Sequence, residues 1–123
     1  MTLALWCVLV AGLLPYAGTV IAKAGAPFDN RDPRAWLAQQ QGYRRRADAA
    51  SKNGFEAFPL FAAAVLVAQL LRGPQPAANL LAAGFIGARV AHLACYLTDR
   101  SSLRSICWFI GLLCVIGLFT LAA

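Results

Sequence analysis

Charge is scarce in this chain: of its 123 residues only five are acidic and eleven are Lys or Arg, 13% in all. A soluble domain this small spreads far more charge over its surface, so an ordinary soluble fold is excluded. Cysteine occurs four times, at Cys7, Cys95, Cys107 and Cys114, but never as a Cys-x-x-Cys pair. Nothing in the spacing resembles a disulfide frame or a metal site, and each cysteine reads as a small buried hydrophobe. There is no internal repeat and no low-complexity tract. No basic residue precedes the first apolar run, which opens Met1-Thr2-Leu3, so that run reads as a membrane helix and not as a cleaved signal. The same run has no carboxylate, which a small proton-coupled multidrug pump needs deep in its first helix.

What is abundant is apolar sequence, 60% of the chain, and it comes in four blocks. They are Leu3 to Ala22, Phe55 to Leu71, Ala77 to Leu97 and Ile106 to Ala123. Each holds about 17–21 residues, enough to cross a hydrocarbon core of about 30 Å as a helix. The blocks are continuous and not alternating, which favours helices over a barrel. The expected fold is therefore all-α: a membrane-embedded four-helix bundle forming one domain over residues 1–123.

The formal net charge of +6 is unevenly placed. Lys23, Arg31, Arg34, Arg44, Arg45, Arg46 and Lys52 lie between the first and second spans, and Arg100 and Arg104 between the third and fourth. The remaining connection has only Arg72, and the tails have no Lys or Arg. In a bundle the two basic loops fall at the same face. The positive-inside rule puts them in the cytoplasm and both termini outside, as in a bacterial inner-membrane protein. Topology accounts for this charge, and no nucleic-acid partner is expected.

Local signals set the elements. Pro15 predicts a kink in the first helix, beside the small residues Ala11, Gly12, Ala17 and Gly18, which let helices approach closely. Asp32-Pro33 predicts an N-cap and a short interfacial helix to about Gln41. The second long helix is expected to begin near Tyr43, to project as a basic stalk, and to enter the bilayer at about Phe55. Arg72-Gly73-Pro74-Gln75-Pro76 reads as a tight turn, and Ser101 or Ser102 as the N-cap of the last helix.

The third span carries ionisable side chains, Arg89 and His92, followed by Tyr96. Their spacing of i, i+3 and i+7 puts them on one helical face. An arginine in hydrocarbon is costly and persists only with a partner or a wet cavity. Glu56 is the single carboxylate of the spans and the expected partner of Arg89. By depth, Asn53, Glu56, His92, Tyr96 and Arg104 gather at the inner face, with Arg46 two turns before Asn53 on the same stripe. A cation at a helix start, as Arg104 is, opposes the macrodipole unless an anion joins it. The residues alone leave two readings open, a structural polar cluster and a site for an anionic or polar ligand.

The run Arg46-Ala47 followed by Asn53-Gly54-Phe55-Glu56-Ala57-Phe58-Pro59-Leu60-Phe61 resembles the signature of the MAPEG family, the membrane-associated proteins in eicosanoid and glutathione metabolism. Arg89-Val90-Ala91-His92, Tyr96-Leu97 and Leu103-Arg104-Ser105 resemble the third and fourth helices of its prostaglandin-synthase branch. The resemblance implies a homotrimer with glutathione between adjacent subunits at the cytoplasmic side. It implies a glutathione-dependent transferase or peroxidase taking a lipophilic small molecule from the lipid bilayer, or a non-catalytic member using the same cluster for structure or binding. Under the catalytic reading Arg104 stabilises the thiolate and Tyr96 or Ser105 donates a hydrogen bond to the sulfur. Asn53, Glu56, His92 and Tyr96 then hold the tripeptide, Glu56 taking the amine and Arg46, Lys52 or Arg89 a carboxylate. Many animal members carry an Arg four residues before the Asn; here that position is Ala49, and Lys52 is the nearest substitute.

Overall fold

A computed structural model describes all residues 1–123 and contains helices α1 (Leu3–Lys23), α2 (Pro33–Ala38), α3 (Gly42–Arg72), α4 (Pro76–Leu97) and α5 (Ser101–Ala122), with no strands. All but α2 are long and apolar enough to cross a membrane. Up-and-down connectivity gathers the C-terminal ends of α1 and α4 with the N-terminal ends of α3 and α5. This is the basic end of the bundle. The short connections start where turn chemistry dictates: Gly73 is left-handed at φ 69°, and Pro76 opens α4. Asp32 caps α2 as its sequence predicts, its side chain accepting from the amide of Ala35 at 3.2 Å.

The interior is thin. Only 24 of 123 residues are buried, and many of those are alanine, so helices touch mainly through small side chains. The core holds a parallel stack of Phe61 on Phe85, with centroids 3.9 Å apart, in one cluster with Val65 and Leu118. Many other large apolar side chains on the long helices, Trp6, Leu13, Leu70, Leu80 and Phe109 among them, point outward, as a bilayer or a neighbouring copy requires. Between α1 and α3 the backbones nearly meet. A methyl group on Gly54 would lie 2.7 Å from Pro15 Cγ, and one on Gly18 2.8 Å from the carbonyl of Ala47. The hydroxyls of Thr19 and Ser51 pair across the same seam at 2.7 Å.

Three helix ends are closed by arginines of α3. Arg44 donates to the carbonyl of Ala22 at 2.9 Å, Arg46 to those of Tyr96 and Leu97, and Arg72 to that of Ala122 at 3.4 Å. Each cation sits at the negative end of a helix, whose last carbonyls lack intrahelical donors. At the opposite pole Asn79 accepts the amide of Ala4 at 2.9 Å, closing the start of α1.

Two local expectations change. The first turns of α3 are not a free stalk: Ala47, Asp48, Ala50 and Ser51 are buried, because small residues there pack against the end of α1. Neither Ser101 nor Ser102 caps α5. Its N-cap is Arg100, with no side-chain cap bond, because the tight turn at Asp99 starts the helix early.

Candidate functional site

The site lies where three helices converge at the basic end. Helix α3 contributes Asn53 and Glu56, one turn apart. Helix α4 contributes Arg89, His92 and Tyr96 along one face, and α5 contributes Arg104, Ser105 and Trp108. Arg89 and His92 are buried, while Asn53, Tyr96 and Arg104 are half-buried.

Arg89 does not pair with Glu56. Its Nη2 donates to Asn53 Oδ1 at 2.7 Å, a charge-assisted bond to a neutral acceptor. Glu56 is exposed and makes no ion pair; the protein's one salt bridge joins Lys52 to Asp48 at 2.8 Å, four residues apart on α3. The reason is helical phase. Asn53 lies on the α4-facing side, whereas Glu56, about 60° round the helix, lines the cleft between α3 and α5.

Below the end of α4 the rings make a platform. Tyr96 meets the His92 ring edge-on at 5.1 Å between centroids. The Arg104 guanidinium carbon lies 4.4 Å from the centre of the Tyr96 ring, so the cation rests on its π face. Ser105 donates to the carbonyl of Ser101 at 3.2 Å, which leaves its oxygen free to accept.

Two adjoining cavities open at this cluster. One, of about 210 Å³, is bounded by Asn53, His92, Tyr96, Arg104, Ser105, Trp108 and Phe109. The other, of about 290 Å³, runs between α3 and α5 past Glu56 and Arg89 to Leu60, Leu112 and Val115. Asn53 and Trp108 line both. A polar chamber thus leads into a mainly apolar cleft on the flank of the bundle. Two guanidinium groups face one carboxylate here, a balance that suits a ligand with more negative than positive groups.

The sequence-predicted residues divide. Asn53, Glu56, Arg89, His92, Tyr96, Arg104 and Ser105 are brought together around these cavities. Arg46 borders the cluster from behind, bonded to the carbonyl of Tyr96 at 2.9 Å. Lys52 is directed away, into a separate cavity of about 310 Å³ bounded by Thr19, Arg34, Asp48, Ser51 and Phe55. Trp108 was not among the sequence candidates. Its signal was its place four residues after Arg104, on the same face of α5.

The MAPEG family profile matches residues 3–123. No curated protein matches the chain. With four apolar helices, no strands and a match that covers essentially all of its length, this chain belongs to the MAPEG family of integral membrane proteins.

Proposed function

We propose that this protein is a glutathione-dependent transferase or peroxidase that acts on a lipophilic electrophile. The observation that carries the reading is Arg104, held on the Tyr96 ring in a polar chamber that adjoins an apolar cleft. Glutathione suits the charges present: its ammonium matches the Glu56 carboxylate, a carboxylate matches Arg89, and its thiolate matches Arg104. Glu56 and Asn53 take the polar backbone of the tripeptide, with His92 and Ser105 as hydrogen-bond partners. Arg46 and Arg89 add positive potential around it, while Lys52, paired with Asp48, lines the separate cavity. The bound thiol supplies the nucleophile.

Arg104 favours the thiolate over the thiol, because a nearby opposite charge lowers an acid's pKa. Tyr96 keeps the guanidinium in place, and its hydroxyl is a hydrogen-bond donor for the sulfur. The apolar cleft between α3 and α5 excludes water and receives the hydrophobic second substrate from the bilayer. Family membership supports the use of glutathione and a homotrimer with the site between adjacent copies. The basic end then faces the cytoplasm.

The test is the ultraviolet absorbance of thiolate at saturating glutathione as pH is varied. Wild type should show a band at neutral pH. Arg104→Ala should move the titration up by about one to three pH units, the span a neighbouring cation commonly supplies. Turnover should fall more than binding does. Tyr96→Phe should shift it less, since it removes one hydrogen bond and no charge. No thiolate band in wild type would defeat the catalytic reading.

One observation favours the non-catalytic alternative. Arg89 donates to Asn53 Oδ1, so part of the cluster is satisfied within the fold. Under that alternative glutathione binds weakly or not at all, with Ala49 in place of a ligand-binding arginine as the cause.

A further inference from the structure

The guanidinium of Arg46 lies at the end of α4, with Nε donating to the Tyr96 carbonyl at 2.9 Å and Nη2 to that of Leu97 at 3.3 Å. The same end is stitched into the following turn. The amide of Asp99 also reaches the Tyr96 carbonyl, at 3.3 Å, and that of Arg100 reaches Cys95 at 2.9 Å. Asp99 is left-handed at φ 58°, which closes the turn in three residues. The amide of Arg104 then bonds the Arg100 carbonyl at 3.0 Å. The end of α4, the turn and the first turn of α5 are therefore one hydrogen-bonded unit that carries both Tyr96 and Arg104. Arg46 ties that unit to α3, at the backbone of the residue whose ring supports Arg104.

We propose that Arg46 is a positioning residue: by gripping the Tyr96 and Leu97 carbonyls it holds the aromatic platform, and with it Arg104, in register with a bound thiol. This rests on the glutathione reading above. An arginine is required because two carbonyls are held by one planar fork, which a lysine cannot reproduce. Arg44 supplies a matched comparison, since it caps α1 at Ala22 by the same kind of bond but touches neither Tyr96 nor Arg104.

The experiment uses the full chain in detergent, as wild type, R46K, R46Q and R44Q. Three quantities are read: the glutathione dissociation constant, the pH midpoint of the bound thiolate absorbance, and the thermal midpoint. R46K and R46Q should raise the thiolate midpoint by about one pH unit, part of what an adjacent cation supplies. Their dissociation constants should stay within about tenfold of wild type. R44Q should lose a comparable amount of thermal stability with its thiolate midpoint unmoved. R46K keeps the charge and one donor, so it remains readable if R46Q does not fold.

Wild-type midpoints in both Arg46 variants would overturn the proposal, as would an equal shift in R44Q, which would mean general loosening. A dissociation constant raised beyond about tenfold would make Arg46 a ligand contact and overturn it too. A wild type with no thiolate band fails differently: the glutathione reading falls, and the positioning role falls with it.

Discussion

Arg89 is a buried cation held by one neutral side chain. Its bond to Asn53 is charge-assisted, and such bonds contribute about 1.5–3 kcal/mol. Asn53→Ala should therefore lower stability by about 2 kcal/mol, seen as a fall in thermal midpoint in detergent. Asn53→Asp keeps an acceptor at the same place and should retain most of the stability. Glu56 stands apart from this pair. Glu56→Gln should change stability by no more than about 0.5 kcal/mol while weakening glutathione binding, because an exposed side chain without an ion pair holds nothing in the fold. A double-mutant cycle of Glu56→Gln with Arg89→Leu should be additive within about 0.5 kcal/mol. A clear coupling would mean that the two side chains meet after all.

At the level of elements, the α1–α3 seam is set by contact distance and not by side-chain bulk. Gly54→Ala would drive a methyl group to 2.7 Å from Pro15 Cγ, a ring atom of a residue fixed inside α1. The helices must then part, at a cost of about 1–3 kcal/mol typical of overpacking. Gly87 on α4 is the contrast, with nothing within 4 Å of an added methyl. Gly87→Ala should be neutral or stabilising by up to about 1 kcal/mol, from helix propensity alone. Thermal unfolding of the two variants side by side checks the pair. Equal effects would show that the seam tolerates separation. Because Gly54 adjoins Asn53, a displaced α3 should also loosen the bond to Arg89.

For the whole molecule, the proposed orientation rests on where the cations stand. Arg31, Arg34, Arg44, Arg45 and Arg46 all lie at the end of the bundle that carries the site, and the opposite end has only Arg72. Two of these side chains have structural work as well, since Arg44 and Arg46 close helix ends. The charge asymmetry still acts during insertion, before those bonds form. Reporter fusions at Gly73 and at Ala123 should both read as extracytoplasmic. A cytoplasmic signal at either position would place the site on the other side of the membrane.

The amino-acid sequence by itself determined the four spans, their order and the identity of the polar residues that meet. Apolar runs of membrane length, an arginine and a histidine one turn apart in hydrocarbon, and a Gly-Pro turn are local signals that survive without tertiary context. The start of the long second helix near Tyr43 and the capped Asp32-Pro33 helix were legible for the same reason. Which polar group pairs with which was decided only by packing. Arg89 chooses Asn53 over Glu56 through the rotation of α3 about its own axis, and a turn of less than 90° is invisible to a reading by depth. Lys52 was drawn away by Asp48, its neighbour one turn back. The tasks of Arg44, Arg46 and Arg72 also belong to the tertiary structure, because a helix's orphan carbonyls find their donors on whichever element the bundle sets beside them.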